Sequence, residues 1–283
     1  MMNSITSSNI LLTLYLALIA QASIVVKRAD SSSTSSASST SSSPATISKP
    51  ASANLTTENQ ALAPFQDGVF EFFGWTNPTF PQYHNSCNIT NQRMINGALI
   101  DTLEVSSFAR DRLLANGTSD EIYKRWFGDA PLFTVAGVIE NTIQGVKDDL
   151  LFRCDDPQGG CAANPTSWWG YHVLNTTGET NFCDLFYSGK KPLTHICFEG
   201  TIVEVGPTLY AGIDLFHRYF HLDQMSSEGY IGEYTEELDD ILALAQNNAT
   251  YAVRNVDNYL YYLADVYAEA VIPGGCLGDL SEN

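Results

Sequence analysis

Residues 212–222 read GIDLFHRYFHL, with His217 and His221 four positions apart inside an apolar, helix-like stretch. That is the spacing of H-E-x-x-H, in which two imidazoles on one helix face ligate zinc and the intervening glutamate is a base. Here Arg218 holds the glutamate position. At about 100° per residue, Leu209, Ile213, Phe216 and Phe220 fall within about 60° of one another and form a stripe to bury. His217 and His221 stand on its shoulder, one above the other, where both imidazoles can meet one ion at the mouth of a cleft. Two satisfied histidines at a core edge are the bland alternative, and the spacing alone leaves both open.

Two imidazoles do not hold zinc tightly, so a third ligand must come from elsewhere. The segment after the pair, 231–246, reads IGEYTEELDDILALAQ. If it is helical, Glu233 and Glu237 share a face, and Glu236 and Asp240 lie close by. Glu233 is the expected ligand and Glu237 the alternative; a solvated acidic face is the competing reading. His84, His172 and His195 are further possibilities. Arg218 cannot take a proton from a metal-bound water, because its pKa lies above about 12. The same position makes Arg218→Glu the change that restores two histidines and a base on one helix.

The formal charge of −18 argues against nucleic acid or an anionic membrane as partner. It favours a divalent cation, and solubility outside the cell explains it equally well. Residues 10–20, ILLTLYLALIA, are too short to span a bilayer and precede a small-residue cut site, which predicts a signal peptide over 1–22. A pro-segment over 23–28 ends in the dibasic pair Lys27-Arg28, and a Ser/Thr-rich stalk follows over 29–63. The folded domain is expected over 64–283, with no transmembrane segment. The absence of an apolar C-terminal tail suggests a product released or loosely held at the surface.

Six cysteines behind a signal peptide imply three disulfides. A bridge Cys154–Cys161 would pin the turn-rich loop CDDPQGGC. Residues 181–199 read as a β-hairpin around Ser188–Pro192, which sets Cys183 opposite Cys197. Cys87 is then left for Cys276. Sequons at Asn54, Asn88, Asn116, Asn175 and Asn248 fit a secreted glycoprotein. Helical periodicity is expected over 91–117, 118–128 (with Thr118 and Glu121 as a capping box), 131–151, 207–222, 231–246 and 256–271. The sum is a mainly helical α+β domain with one small sheet.

The order of a Cys-bounded segment followed by an H-x-x-x-H helix, with KRWFG (124–128) upstream, resembles the deuterolysin-type zinc metallopeptidases. A closer resemblance is to the fungal pH-regulated antigen or zincophore family, which includes major fungal allergens and secreted proteins induced by zinc starvation. RWFG (125–128), CDLFYSGKKPLTHICFEGT (183–201), HRYFH (217–221), NATYAVRNVDNYLYYLADVYA (248–268) and PGGC (273–276) carry it. The resemblance implies a deuterolysin-like zincin fold, an H-R-x-x-H site for Zn2+ and zinc capture at the cell wall or outside it. It also implies a surface zinc transporter or host proteins as partners. Where many members carry a third histidine before a tyrosine, this chain has Glu233-Tyr234. Three functions are therefore in play. The first is a zinc-capturing glycoprotein without a catalytic glutamate, the second an active metallopeptidase with a displaced base, and the third a cell-wall or host-contact glycoprotein with structural zinc.

Overall fold

The computed structural model describes residues 79–280. The expected signal peptide, pro-segment, stalk and the Asn54 sequon lie outside the described residues. The first long helix, α1 (Ile89–Asn116), opens where the Asn88 side chain accepts the Thr90 and Asn91 amides at 2.9 and 3.0 Å. That satisfies two of the amides a helix start leaves unpaired. The next helix, α2 (Glu121–Phe127), begins later than the Thr118 pattern predicts. Asp120 stands at its N-cap, its carboxylate gripped by Arg112 at 2.7 and 2.8 Å. Helix α3 (Leu132–Gln144) stops at Gly145, well short of residue 151, because the chain turns there into the sheet.

The sheet has four strands, β1 (Gln82–Tyr83), β2 (Leu151–Arg153), β3 (Gly170–His172) and β4 (Glu179–Phe182), in the order β1-β2-β4-β3. The first two pairings are parallel and β3 runs antiparallel to β4 at the edge. After β4 the predicted hairpin is absent. Residues Asp184–Gly189 form a short helix, α4, with Asp184 in its first turn, where the helix dipole favours a negative charge. Six residues are too few for periodicity to separate a helix from a strand.

All three predicted disulfides are overturned. The bridges are Cys87–Cys154, Cys161–Cys183 and Cys197–Cys276, with Cα separations of 5.0, 5.3 and 5.6 Å. Neighbouring chains explain each one. Cys87 and Cys154 follow the parallel pair β1 and β2. Cys183 follows β4, and Cys161 precedes β3, its antiparallel neighbour. Cys276 lies in a C-terminal segment whose carbonyl accepts the Ile202 amide at 2.9 Å, just beyond Cys197. Cys87 therefore never meets Cys276, and neither Cys154–Cys161 nor Cys183–Cys197 forms.

Helices α5 (Ala211–Tyr219), α6 (Leu238–Asn247) and α7 (Val256–Val271) complete the mainly helical α+β fold. The core centres on α7, most of whose residues are buried. The RWFG stretch docks here: Trp126 stacks on Tyr261 with centroids 4.9 Å apart and donates its Nε1 hydrogen to Asp265 at 2.9 Å. Arg125 pairs with the same carboxylate. Such aromatic pairs add about 0.5–1.5 kcal/mol beyond area burial. Helix α5 crosses α1 at Gly212, where a Cβ would stand 2.5 Å from the Asp101 side chain and 2.8 Å from the Thr102 amide. Only glycine permits this approach, which the Thr102 hydroxyl seals by donating to the Gly212 carbonyl at 2.8 Å. The four sequon asparagines among the described residues, Asn88, Asn116, Asn175 and Asn248, are all exposed.

Candidate metal centre

Ile213, Leu215, Phe216 and Tyr219 are buried beneath α5, and they fix the direction in which its remaining face looks. His217 lies on that face with its side chain 20% exposed, and His221 follows at 36%. His221 falls just past the helix, on a turn tightened by the His221 amide donating to the Arg218 carbonyl. The four-residue stacking survives that tightening, with ring centroids 4.7 Å apart.

The approach of Glu233 differs from expectation. Residues 231–237 are not helical, since α6 starts only at Leu238. The loop is pinned to the start of α7 instead: the Gly232 amide donates to the Arg254 carbonyl and the Val256 amide to the Gly232 carbonyl, each at 2.9 Å. Asn255 Oδ1 accepts the Tyr234 and Thr235 amides at 2.9 and 3.2 Å. Glu233 is thereby held over α5, where its Oε1 bonds His217 Nε2 and lies 3.6 Å from His221 Nε2. Glu237 sits exposed at the N-cap of α6, outside the cluster, because no helix face aligns it with Glu233.

The ligand atoms of His217, His221 and Glu233 lie within 4.8 Å of one another, and the two Nε2 atoms are 3.0 Å apart. Zinc–nitrogen bonds of about 2.0–2.1 Å at tetrahedral angles set two such nitrogens a little over about 3 Å apart. The set of two imidazoles and a carboxylate therefore fits zinc in both chemistry and spacing. Its ionisation fits as well. Burial, then the charge of His217, pushes the His221 pKa down to about 4, which keeps this imidazole neutral. The hydrogen bond from His217 holds the Glu233 carboxyl below its ordinary value.

Arg218 is buried and turned to another task. Its Nε donates to Asp214 Oδ2 at 2.7 Å, and Asp214 also meets Lys190 Nζ at 2.8 Å. The guanidinium lies 5.4 and 5.9 Å from the ring centroids of Phe182 and Phe186. Burial raises the Asp214 pKa, but the two cations outweigh it and the carboxyl ends below its ordinary range.

The family model described as "HRXXH: Putative peptidase family" matches residues 9–279. This chain belongs to the HRXXH family. Protein ZPS1 of Saccharomyces cerevisiae is 54% identical over 230 residues, 81% of this chain and 92% of that protein. Antigen 1 of Emericella nidulans is 36% identical over 205 residues, covering 71% of this chain and 73% of that one. Among solved structures, a zinc peptidase from Grifola frondosa is similar over 63% of this chain and 97% of that chain, at a TM-score of 0.47 and 18% identity.

In this HRXXH protein the cluster opens into a cleft of about 660 Å³ walled by Trp168, Trp169, His172, Glu236, Asp257 and Tyr261. His84 and His195 lie elsewhere, beside Asp155 and Glu199 respectively. Asp257 is the residue sequence reasoning missed. It sits in the first turn of α7 inside a stretch rich in core aromatics, where only knowledge of the Asn255 loop anchor would turn it toward the site. Its Oδ2 is buried with no hydrogen-bond partner among the described residues, and burial lifts its pKa to about 7.

In the unfolded chain an aspartate ionises near about 3.9. Between about pH 4 and 7 the folded, metal-free protein thus holds a proton that the unfolded chain has lost, and stability falls as pH rises through that window. Asp257→Asn is expected to flatten this decline and to stabilise the metal-free protein at pH 7.5 by about 4 kcal/mol, at about 1.4 kcal/mol per pKa unit. Urea unfolding at stepped pH measures it. Parallel wild-type and variant profiles would show that Asp257 ionises normally.

Proposed function

We propose that this HRXXH protein is a secreted glycoprotein that captures one zinc ion per chain through His217, His221 and Glu233, and that it is not a peptidase. The carrying observation is the convergence of those three ligand atoms on a helix whose base position holds a buried, carboxylate-bound arginine. Bound zinc would supply Lewis acidity, but Arg218 cannot accept the proton that hydrolysis must remove from water. Three disulfides and the exposed sequons support an oxidising, extracellular setting. No helix among the described residues is long and apolar enough to cross a membrane.

Calorimetry on the purified protein is expected to show one zinc per chain. His217→Ala/His221→Ala should lower the affinity by more than the about 10–100-fold that loss of even an outer-shell partner costs. Unchanged affinity in the double variant would overturn the reading.

One observation favours a second reading. Asp257, on the cleft wall, has a pKa of about 7, suited to a general base. A peptidase with a displaced base would cleave casein in a chelator-sensitive way, and His221→Ala would abolish the cleavage. The zinc-capture reading expects casein to remain intact.

A further inference from the structure

We infer that His172 is a fourth protein ligand of the metal centre, closing the position that His217, His221 and Glu233 leave open. The inference rests on the zinc-binding reading above and specifies how completely the ion is enclosed.

The direction of the side chain follows from the strand that carries it. Residues alternate between the two faces of a strand, so Gly170 and His172 look one way and Tyr171 the other. In β3, Tyr171 reaches away to donate its hydroxyl to Asp156 at 2.9 Å. On the Gly170 face, a Cβ would stand 2.2 Å from Nη1 of Arg218, so that face looks directly at α5. His172 therefore faces α5 too, one step along the strand, and it shares the cleft lining with His217, His221 and Glu233.

The second observation concerns what this imidazole lacks. Nδ1 of His172 is buried and has no hydrogen-bond partner among the described residues. An unsatisfied buried polar atom costs about 1–3 kcal/mol, and in native proteins such an atom calls for an explanation such as an ion or a water. His172 stands outside the cluster of three ligand atoms, and an ion held at the cleft that it lines would give its imidazole a partner.

Coordination chemistry supplies the reason. Zinc sites that work on a substrate keep one position for water, whereas sites that only hold the ion use four protein ligands. A centre without a base has no use for the open position. Arg218 ties the two features together: the side chain that replaces the base packs on the backbone of Gly170, two residues before His172. A glutamate there would activate water; the arginine instead braces the strand that brings in another ligand.

Cobalt(II) substitution tests this without reference to turnover. The wild-type cobalt protein is expected to show the intense visible absorption of a four-coordinate ion, unmoved by added azide. His172→Ala should make the bands azide-sensitive and lower zinc affinity at least about 10-fold, the smallest loss typical of ligand-shell damage. Azide-sensitive bands in the wild type would overturn the inference, and this arm needs no variant to fold. An unchanged spectrum and affinity in His172→Ala would overturn it as well. Failure of the underlying reading looks different: the wild type would take up no cobalt, or His217→Ala/His221→Ala would retain it.

Discussion

Arg218→Glu is expected to destabilise the domain by about 3–5 kcal/mol and to yield no peptidase. From the sequence alone the substitution restores a familiar arrangement, two histidines and a base on one helix. The structure shows what it would break. The Arg218 guanidinium is buried, bonded to Asp214, packed on Phe182 and Phe186 and pressed against Gly170. Glutamate is shorter and cannot fill that volume, and it sets a second carboxylate beside Asp214 with only Lys190 to neutralise both. Breaking one side of a buried ion pair costs about 3–5 kcal/mol because the remaining charge is left uncompensated. Removing the buried charges together, as in Arg218→Met/Asp214→Leu/Lys190→Met, should cost less than Arg218→Glu. Urea unfolding of the three proteins, with casein digestion in parallel, measures both halves of the expectation. A stable Arg218→Glu variant that cleaves casein with zinc would mean that position 218 can face the metal.

The parts of this protein legible in its sequence are those governed by local spacing. The His217–His221 pair survives although the helix ends at Tyr219, because one tightened turn keeps the two rings stacked. Helix α7 appears where its apolar repeat places it. Glu233 was legible only by its proximity in the chain. It reaches the site from a loop anchored by Asn255, whose side chain reads as an ordinary polar residue in the sequence. Glu237 was misplaced for the same reason, since a helix starting at Ile231 would align the two acids and one starting at Leu238 does not. Asp257 and the task of Arg218 depend on contacts across the fold, with Asn255 and its loop in one case and Asp214, Lys190 and Gly170 in the other. The expected cysteine pairings rest on a short loop for one bridge and on a hairpin and its remainder for the other two, whereas the actual partners are brought together by neighbours in the sheet and by the C-terminal segment.

That last correction carries its own expected result. Removing Cys197–Cys276 should cost more stability than removing Cys161–Cys183, by the difference in the chain each one closes. The sequence separations are 79 and 22 residues. A chain-entropy account assigns about 4.5 kcal/mol to the first and about 3.4 kcal/mol to the second. Paired alanine variants compared by urea unfolding measure the order. The structure adds where the loss begins. The C-terminal segment is held to the main body by Cys276, by the Ile202 amide on the Cys276 carbonyl at 2.9 Å and by the Val203 amide on the Leu277 carbonyl at 3.0 Å. Without the bridge, those backbone bonds and the packing of the partly buried Leu277 and Leu280 are what hold it, and a terminal segment frays more readily than the core. Hydrogen exchange in Cys197→Ala/Cys276→Ala should therefore rise first at Ile202 and Val203. The amides of α5, buried against α1 at the Gly212 crossing, should keep their protection until global unfolding. Non-reducing peptide mapping that joins Cys276 to Cys87 would remove the basis of this expectation. Uniform exchange across both regions would show that the bridge stabilises the domain as a whole and not its C-terminal edge.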